Sequence, residues 1–190
     1  MERLTTLNKF VITNKKADEK TKGLDLARMD EAYIRDYMRR AIALARIAGA
    51  NGDTPVGSLV IHKRRIITEG FEAVRKHMDI SDHAELIAIR NACSALQTLD
   101  LSGCTLYTTA EPCFMCSYAI RQSHISKVII GGMASKAGGI SSHHPILVDA
   151  EIVGWGEPPD IITGVLEGEC LALRSQAVPA GALARNEVDL

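Results

Sequence analysis

The amino-acid sequence predicts a three-layer α/β/α sandwich on a mixed five-stranded sheet. Three observations carry that prediction. Helical and strand periods of apolar residues succeed one another in the order α-β-β-α-β-α-β-(β)-α. The β-α-β-α-β portion requires parallel strands joined by crossover helices. One strand pair is separated by only two residues and reads as an antiparallel hairpin.

The elements follow in order. Residues 1–29 read as an N-terminal extension with a short apolar stretch, Phe10-Val11-Ile12, before a charged run from Lys15 to Lys22. Asp30 suits the cap of a helix running to about Gly49, because Tyr33, Ile34, Tyr37, Met38, Ala41, Ile42, Leu44, Ala45 and Ala48 repeat with helical period. Asn51-Gly52-Asp53 is turn chemistry. Strands over Val56–His62 and Arg65–Phe71 flank Lys63-Arg64 as a hairpin, and a polar loop runs from Glu72 to Asp82. A helix is expected from His83 to Leu96, a strand from Cys104 to Thr109 and a helix from Cys113 to Ser123, with Pro112 near its first turn. Lys127–Gly131 reads as a buried strand, Asp149–Val153 as a last strand and Leu166–Gln176 as a final helix. Residues 30–176 thus form one domain, and 177–190 a loose tail.

Composition removes several function classes. The chain has 190 residues, 46% hydrophobic and 24% charged, which suits one globular domain. No apolar run approaches the ~20 residues that span a bilayer. The N-terminus lacks the apolar core of a signal peptide, so a cytoplasmic location is expected. Five cysteines, an odd number, then read as reduced thiols and not as a disulfide framework. Net charge is −1, so the whole chain is no basic nucleic-acid binder, and 4% aromatic content leaves little for base stacking. The charge is uneven. Met1 to Met29 carries seven basic and four acidic residues; Met133 to Leu190 carries three basic and eight acidic ones, and would repel a phosphate backbone.

Chemistry concentrates in two clusters, His83-Ala84-Glu85 and Pro112-Cys113-Phe114-Met115-Cys116, each at the expected N-terminus of a helix. Cys113 and Cys116 are three apart, so their sulfurs share a helix face and can grip one ion. Zinc accepts imidazole nitrogen and thiolate sulfur at tetrahedral angles, and the helix dipole favours thiolates at that end. One His and two Cys leave a fourth position for water, as catalytic zinc sites do. Glu85 stands two residues beyond His83, where a carboxylate can move that water's proton. Two rivals stand beside this reading: a closed zinc site with His77 or Cys104 as fourth ligand, and a redox Cys113–Cys116 pair, which leaves His83 and Glu85 without a role. Met115 reads as core, Trp155 as an anchor of the C-terminal loop, and His143-His144 as surface.

H-x-E followed by P-C-x-x-C is the pattern of zinc nucleobase deaminases. With Thr54-Pro55-Val56-Gly57, Leu106-Tyr107-Thr108-Thr109-Ala110-Glu111 and Lys127-Val128-Ile129-Ile130-Gly131, the sequence resembles the cytidine/deoxycytidylate deaminase superfamily from about Asp30 to Leu173. It looks most like the branch of tRNA adenosine deaminases and free nucleobase and nucleoside deaminases. The resemblance implies one zinc per subunit on His83, Cys113 and Cys116, with Glu85 as the proton shuttle. It implies a base placed by Ala84, Pro55, Val56, Glu72 and Glu111, and a homodimer with active sites near the subunit contact.

The chain departs from the tRNA-editing branch at three places. That branch usually has asparagine eleven residues before the zinc histidine, where this chain has Glu72; the side chain either alters the base-reading face or turns outward. Where the branch carries arginine and aspartate after its late strand, this chain has Met133 and Ala134. Its C-terminus is mildly acidic where the branch is basic or aromatic. These losses favour deamination of a free nucleobase, nucleoside or related small heterocycle, with nucleic acid disfavoured. Adenosine-to-inosine deamination of tRNA is the alternative, supported by the basic N-terminal arm. A non-catalytic, zinc-stabilised partner subunit is the reading from another class, and the intact Glu85 argues against it.

Overall fold

The computed structural model describes residues 12–13, 31–133 and 137–175. The cap expected at Asp30, Ala134 and the tail 177–190 lie outside the described residues. The elements are β1 (Ile12–Thr13), α1 (Glu31–Ala50), β2 (Gly57–His62), β3 (Arg65–Phe71), α2 (Val74–His77), α3 (Ala84–Leu96), β4 (Cys104–Ala110), α4 (Phe114–Gln122), β5 (Lys127–Gly132), β6 (Asp160–Thr163) and α5 (Glu167–Ser175).

The sheet runs β1-β6-β5-β4-β2-β3. β4, β5 and β6 are parallel; β2 is antiparallel to both β3 and β4. Four of the five expected strands are present, and the fifth falls at Asp160–Thr163 in place of Asp149–Val153. A sixth is added at the edge, where Ile12 and Thr13 of the extension pair antiparallel with Ile162 and Ile161.

Strand alternation sorts the core into two layers. Leu59, Ile61, Tyr107, Ile129 and Ile162 face α1 and α5, packing with Met38, Ile42, Cys170 and Leu173. Val60, Leu106, Val128, Ile130 and Ile161 face α3 and α4, packing with Ala88, Ala92 and Ile120. The sandwich is therefore three-layered.

Close approach of helices to the sheet depends on two glycines. A Cβ on Gly57 would lie 2.1 Å from the Ala41 carbonyl of α1, and one on Gly70 would lie 2.2 Å from the Ala84 carbonyl of α3. The hairpin turn is tight: Lys63 and Arg64 both have positive φ, at 48° and 63°. Tyr37 donates its hydroxyl to the Arg64 carbonyl at 2.8 Å, and the Arg64 guanidinium lies 4.6 Å over the Tyr33 ring. These contacts hold a turn that lacks the usual Asn-Gly.

The last strand departs from expectation. Asp149–Val153 is not a strand; Asp160–Thr163 is, paired in parallel with Lys127–Ile130. Buried Arg121 explains the difference. Its guanidinium donates to the carbonyls of Ile146, Asp149 and Gly156, so residues 146–156 are tied to α4 and kept out of the sheet. Trp155 anchors this loop as expected, with its ring edge-on to Tyr118 at 5.0 Å and 5.2 Å from the Arg121 guanidinium. Met115, expected in the core, is 37% exposed, because the Cys113–Cys116 face of α4 turns inward and leaves Met115 outside. Among the described residues no helix is long and apolar enough to cross a membrane.

Candidate active site

Two helix N-termini converge on one point. His83 is the residue before α3 and Cys113 the residue before α4, both with extended backbone and neither capping its helix through its side chain. β4 leads into the turn Glu111-Pro112, which puts Cys113 beside His83, and one turn of α4 brings in Cys116. The His83 Nδ1 lies 3.7 Å from Cys113 Sγ and 3.6 Å from Cys116 Sγ, and the sulfurs are 3.7 Å apart.

Those distances fit zinc. With ordinary Zn–S and Zn–N lengths at tetrahedral angles, the sulfurs would sit about 3.8 Å apart and each about 3.6 Å from the nitrogen. Among the described residues these three side chains are the group that could hold a metal ion. Among the described residues no fourth protein ligand joins them. His77 instead holds Asp82 through Nδ1 at 2.7 Å, and Cys104 is buried at the opposite end of β4. The closed-site reading therefore loses its candidates.

Cys113 is the anionic member of the group. The hydrogen bond it shares with Cys116, with His83 alongside, brings Cys113 down to about 4. Cys116 in turn is pushed well up, first by that same bond and then by burial. His83 is raised to about 9 by the Cys113 sulfur.

Glu85 lies in the first turn of α3, 3% exposed, with Oε2 3.5 Å from Cys116 Sγ. Burial raises its carboxyl, while a 2.7 Å hydrogen bond from the Thr108 hydroxyl to Oε1 opposes that rise. Thr108 was not singled out from sequence. Its signal was a place near the C-terminal end of a parallel strand, where α/β sheets gather their polar side chains.

Glu72 turns inward. It is 7% exposed, accepts the Ala84 N–H on Oε2 at 3.2 Å and sets Oε1 4.0 Å from His83 Nε2. Burial pushes its carboxyl up to about 7 against the pull of His83. Val56, Ala84 and Ala110 form a small buried apolar cluster beside these carboxylates. Pro55 is buried against Gly49 at the end of α1. Glu111 faces another way: it accepts the N–H groups of Ile140 and Ser141 and the Ser141 hydroxyl, at 2.7–2.8 Å. His143 and His144 are exposed, as expected.

Residues 32–132 match the family model for the cytidine and deoxycytidylate deaminase zinc-binding region. The chain belongs to that deaminase family. It is similar to the tRNA-specific adenosine deaminase of Aquifex aeolicus, with 40% identity over 111 residues, covering 58% of this chain and 74% of that protein. A solved structure from a study of A-to-I editing by tRNA:A34 deaminases at the wobble position matches with a TM-score of 0.68 and 31% identity, covering 73% of this chain and 98% of that one. Guanine deaminase from Bacillus subtilis matches with a TM-score of 0.50 and 35% identity, covering 52% and 63%. The deaminase fold and its one zinc per subunit are thereby established for this chain, and a zinc deaminase catalyses hydrolytic deamination.

Proposed function

We propose that this protein is a zinc-dependent hydrolytic deaminase of adenosine in tRNA, with His83, Cys113 and Cys116 as the zinc ligands and Glu85 as the catalytic acid–base. The observation that carries the chemistry is the placement of the Glu85 carboxylate 3.5 Å from the ligand sulfur of Cys116, with Thr108 on its other oxygen. When bound, zinc supplies Lewis acidity that makes water a nucleophile at neutral pH. Glu85 takes a proton from the attacking water and delivers it to a ring nitrogen, then helps protonate the departing amine. The C–N bond breaks, a carbonyl forms from the water oxygen and ammonia leaves. The small cluster Val56, Ala84 and Ala110 gives the flat base an apolar wall.

The likeness to tRNA-specific adenosine deaminases supports tRNA as the substrate, reversing the order expected from sequence. A second support is local. Arg75, Lys76 and His77 are exposed on α2, directly after the inward-turned Glu72. Arg75 and Lys76 offer positive charge at the rim where a phosphate backbone would pass. Exposed Phe114, Met115 and Tyr118 on α4 supply an apolar surface consistent with a homodimer.

The inward Glu72 favours the second reading, deamination of a free nucleobase, because a carboxylate replaces the amide expected near the base. Ammonia release decides between them. The panel is an anticodon-stem RNA containing adenosine, free bases and nucleosides, with Glu85→Gln as control. Turnover of the RNA, abolished in Glu85→Gln with zinc retained, is the expected result. Turnover of small molecules alone overturns the tRNA reading.

A further inference from the structure

His83 is held from both sides of its ring. Nδ1 faces the sulfurs of Cys113 and Cys116. Nε2 faces the carboxylate of Glu72, 4.0 Å from Oε1. That carboxylate is fixed: the Glu72 N–H donates to the Val56 carbonyl at 3.0 Å, and Oε2 takes the Ala84 N–H at 3.2 Å. Ala84 opens α3, whose first N–H groups have no partner within the helix. One buried side chain therefore meets both the free end of the helix and the free nitrogen of the ligand.

We propose that Glu72 is a positioning residue for the zinc centre, capping α3 from outside and fixing the His83 ring so that Nδ1 is presented to the ion. An imidazole that binds metal through Nδ1 carries its proton on Nε2, and a partner for that proton fixes tautomer and ring orientation. The Glu72 carboxylate is the group placed to receive it, through a small side-chain shift or one bridging water. The same carboxylate adds negative charge behind a ligand to a dication, which raises the basicity of the imidazole. The expected family residue, asparagine, is shorter by one methylene and neutral, so it would leave this task undone. Glu72 acts this way whatever base is deaminated; only the zinc reading of the three ligands is required.

The test is zinc affinity, measured by competition with a chromogenic chelator, for the full chain carrying Glu72→Gln or Glu72→Ala. Gln keeps an acceptor for the Ala84 N–H and loses the charge; Ala loses both. We expect zinc to bind about tenfold more weakly in the Gln variant and up to about a hundredfold more weakly in the Ala variant. The visible spectrum of the cobalt-substituted Gln variant should also shift from wild type. Wild-type affinity and spectrum in the Gln variant overturn the proposal, whether or not the Ala variant is weakened, because Glu72 is then a helix cap alone. Should Ala prevent folding, the Gln variant still decides.

Discussion

Thr108 donates its hydroxyl to Oε1 of Glu85 at 2.7 Å, with both side chains buried. β4 and the first turn of α3 are thereby joined at the group assigned to move protons. Burial disfavours the ionised carboxylate, and the hydroxyl stabilises it. Glu85 must be ionised to accept a proton, so the hydroxyl holds the base in its working state.

Replacing Thr108 with Val keeps the shape and removes the donor. Hydrogen bonds to charged groups contribute about 1.5–3 kcal/mol, which corresponds to roughly a tenfold to hundredfold change in the ionisation equilibrium. The Glu85 pKa rises further, and the base form is reached only at higher pH. The acid limb of the kcat/KM profile should therefore move to higher pH in Thr108→Val, with turnover below wild type at neutral pH. Thr108→Ser should restore the profile, and zinc content should be unchanged in both.

Zinc binding should release protons. His83 is raised to about 9 and Cys116 is pushed up, while Cys113 is brought down to about 4. At pH 7 the first two hold protons and the third does not. Zinc takes neutral imidazole and thiolates, so about two protons leave as it binds. Affinity then climbs as pH rises toward 9 and falls on acidification. Calorimetry in two buffers of different ionisation enthalpy measures the number directly; release of no protons would refute the ligand assignment.

The ligand cluster was legible in the sequence because its chemistry is local. Cys113 and Cys116 share one helical turn, and His83 and Glu85 share another, so spacing alone aims them. The sheet was legible wherever an unbroken apolar run such as Val128-Ile129-Ile130 marks a buried strand. The last strand was misplaced because Asp149–Val153 and Asp160–Thr163 are both short and each carries one adjacent apolar pair, Ile152-Val153 and Ile161-Ile162. Only tertiary contacts separate them: Arg121 holds the Asp149 carbonyl, and the Asp160 N–H donates to the Ser126 carbonyl at 2.9 Å. The direction of Glu72 was equally hidden, since it depends on where α3 lands on β3.

Glu111 holds the loop after Gly138. Beyond the Ile140 and Ser141 amides, Gly138 lies so close that a Cβ there would be 2.1 Å from Glu111 Oε1, and the Gly139 N–H donates to the Pro112 carbonyl. The segment is thus fastened beside Cys113. Glu111→Ala leaves two amides without their acceptor and should cost about 1–3 kcal/mol in urea denaturation. Glu111→Gln, which keeps a carbonyl oxygen, should cost less. Hydrogen exchange at Ile140 and Ser141 should accelerate in the Ala variant.

Gly70 governs how closely α3 lies on the sheet. A Cβ there would meet the Ala84 carbonyl at 2.2 Å and the Ala88 nitrogen at 2.9 Å, both backbone atoms that cannot rotate aside. α3 must lift, and it lifts at the turn that carries His83 and Glu85. Gly70→Ala should lose about 1–3 kcal/mol of stability, the usual cost of overpacking, and should bind zinc more weakly than wild type. Gly168 of α5 is the control. Nothing lies within 4 Å of a Cβ there, so Gly168→Ala should raise stability by about 0.5–1 kcal/mol through helix propensity. Denaturation with and without chelator separates the two effects. In the chelated protein Gly70→Ala still loses its packing term, and only the further loss seen with zinc present belongs to the displaced ligand.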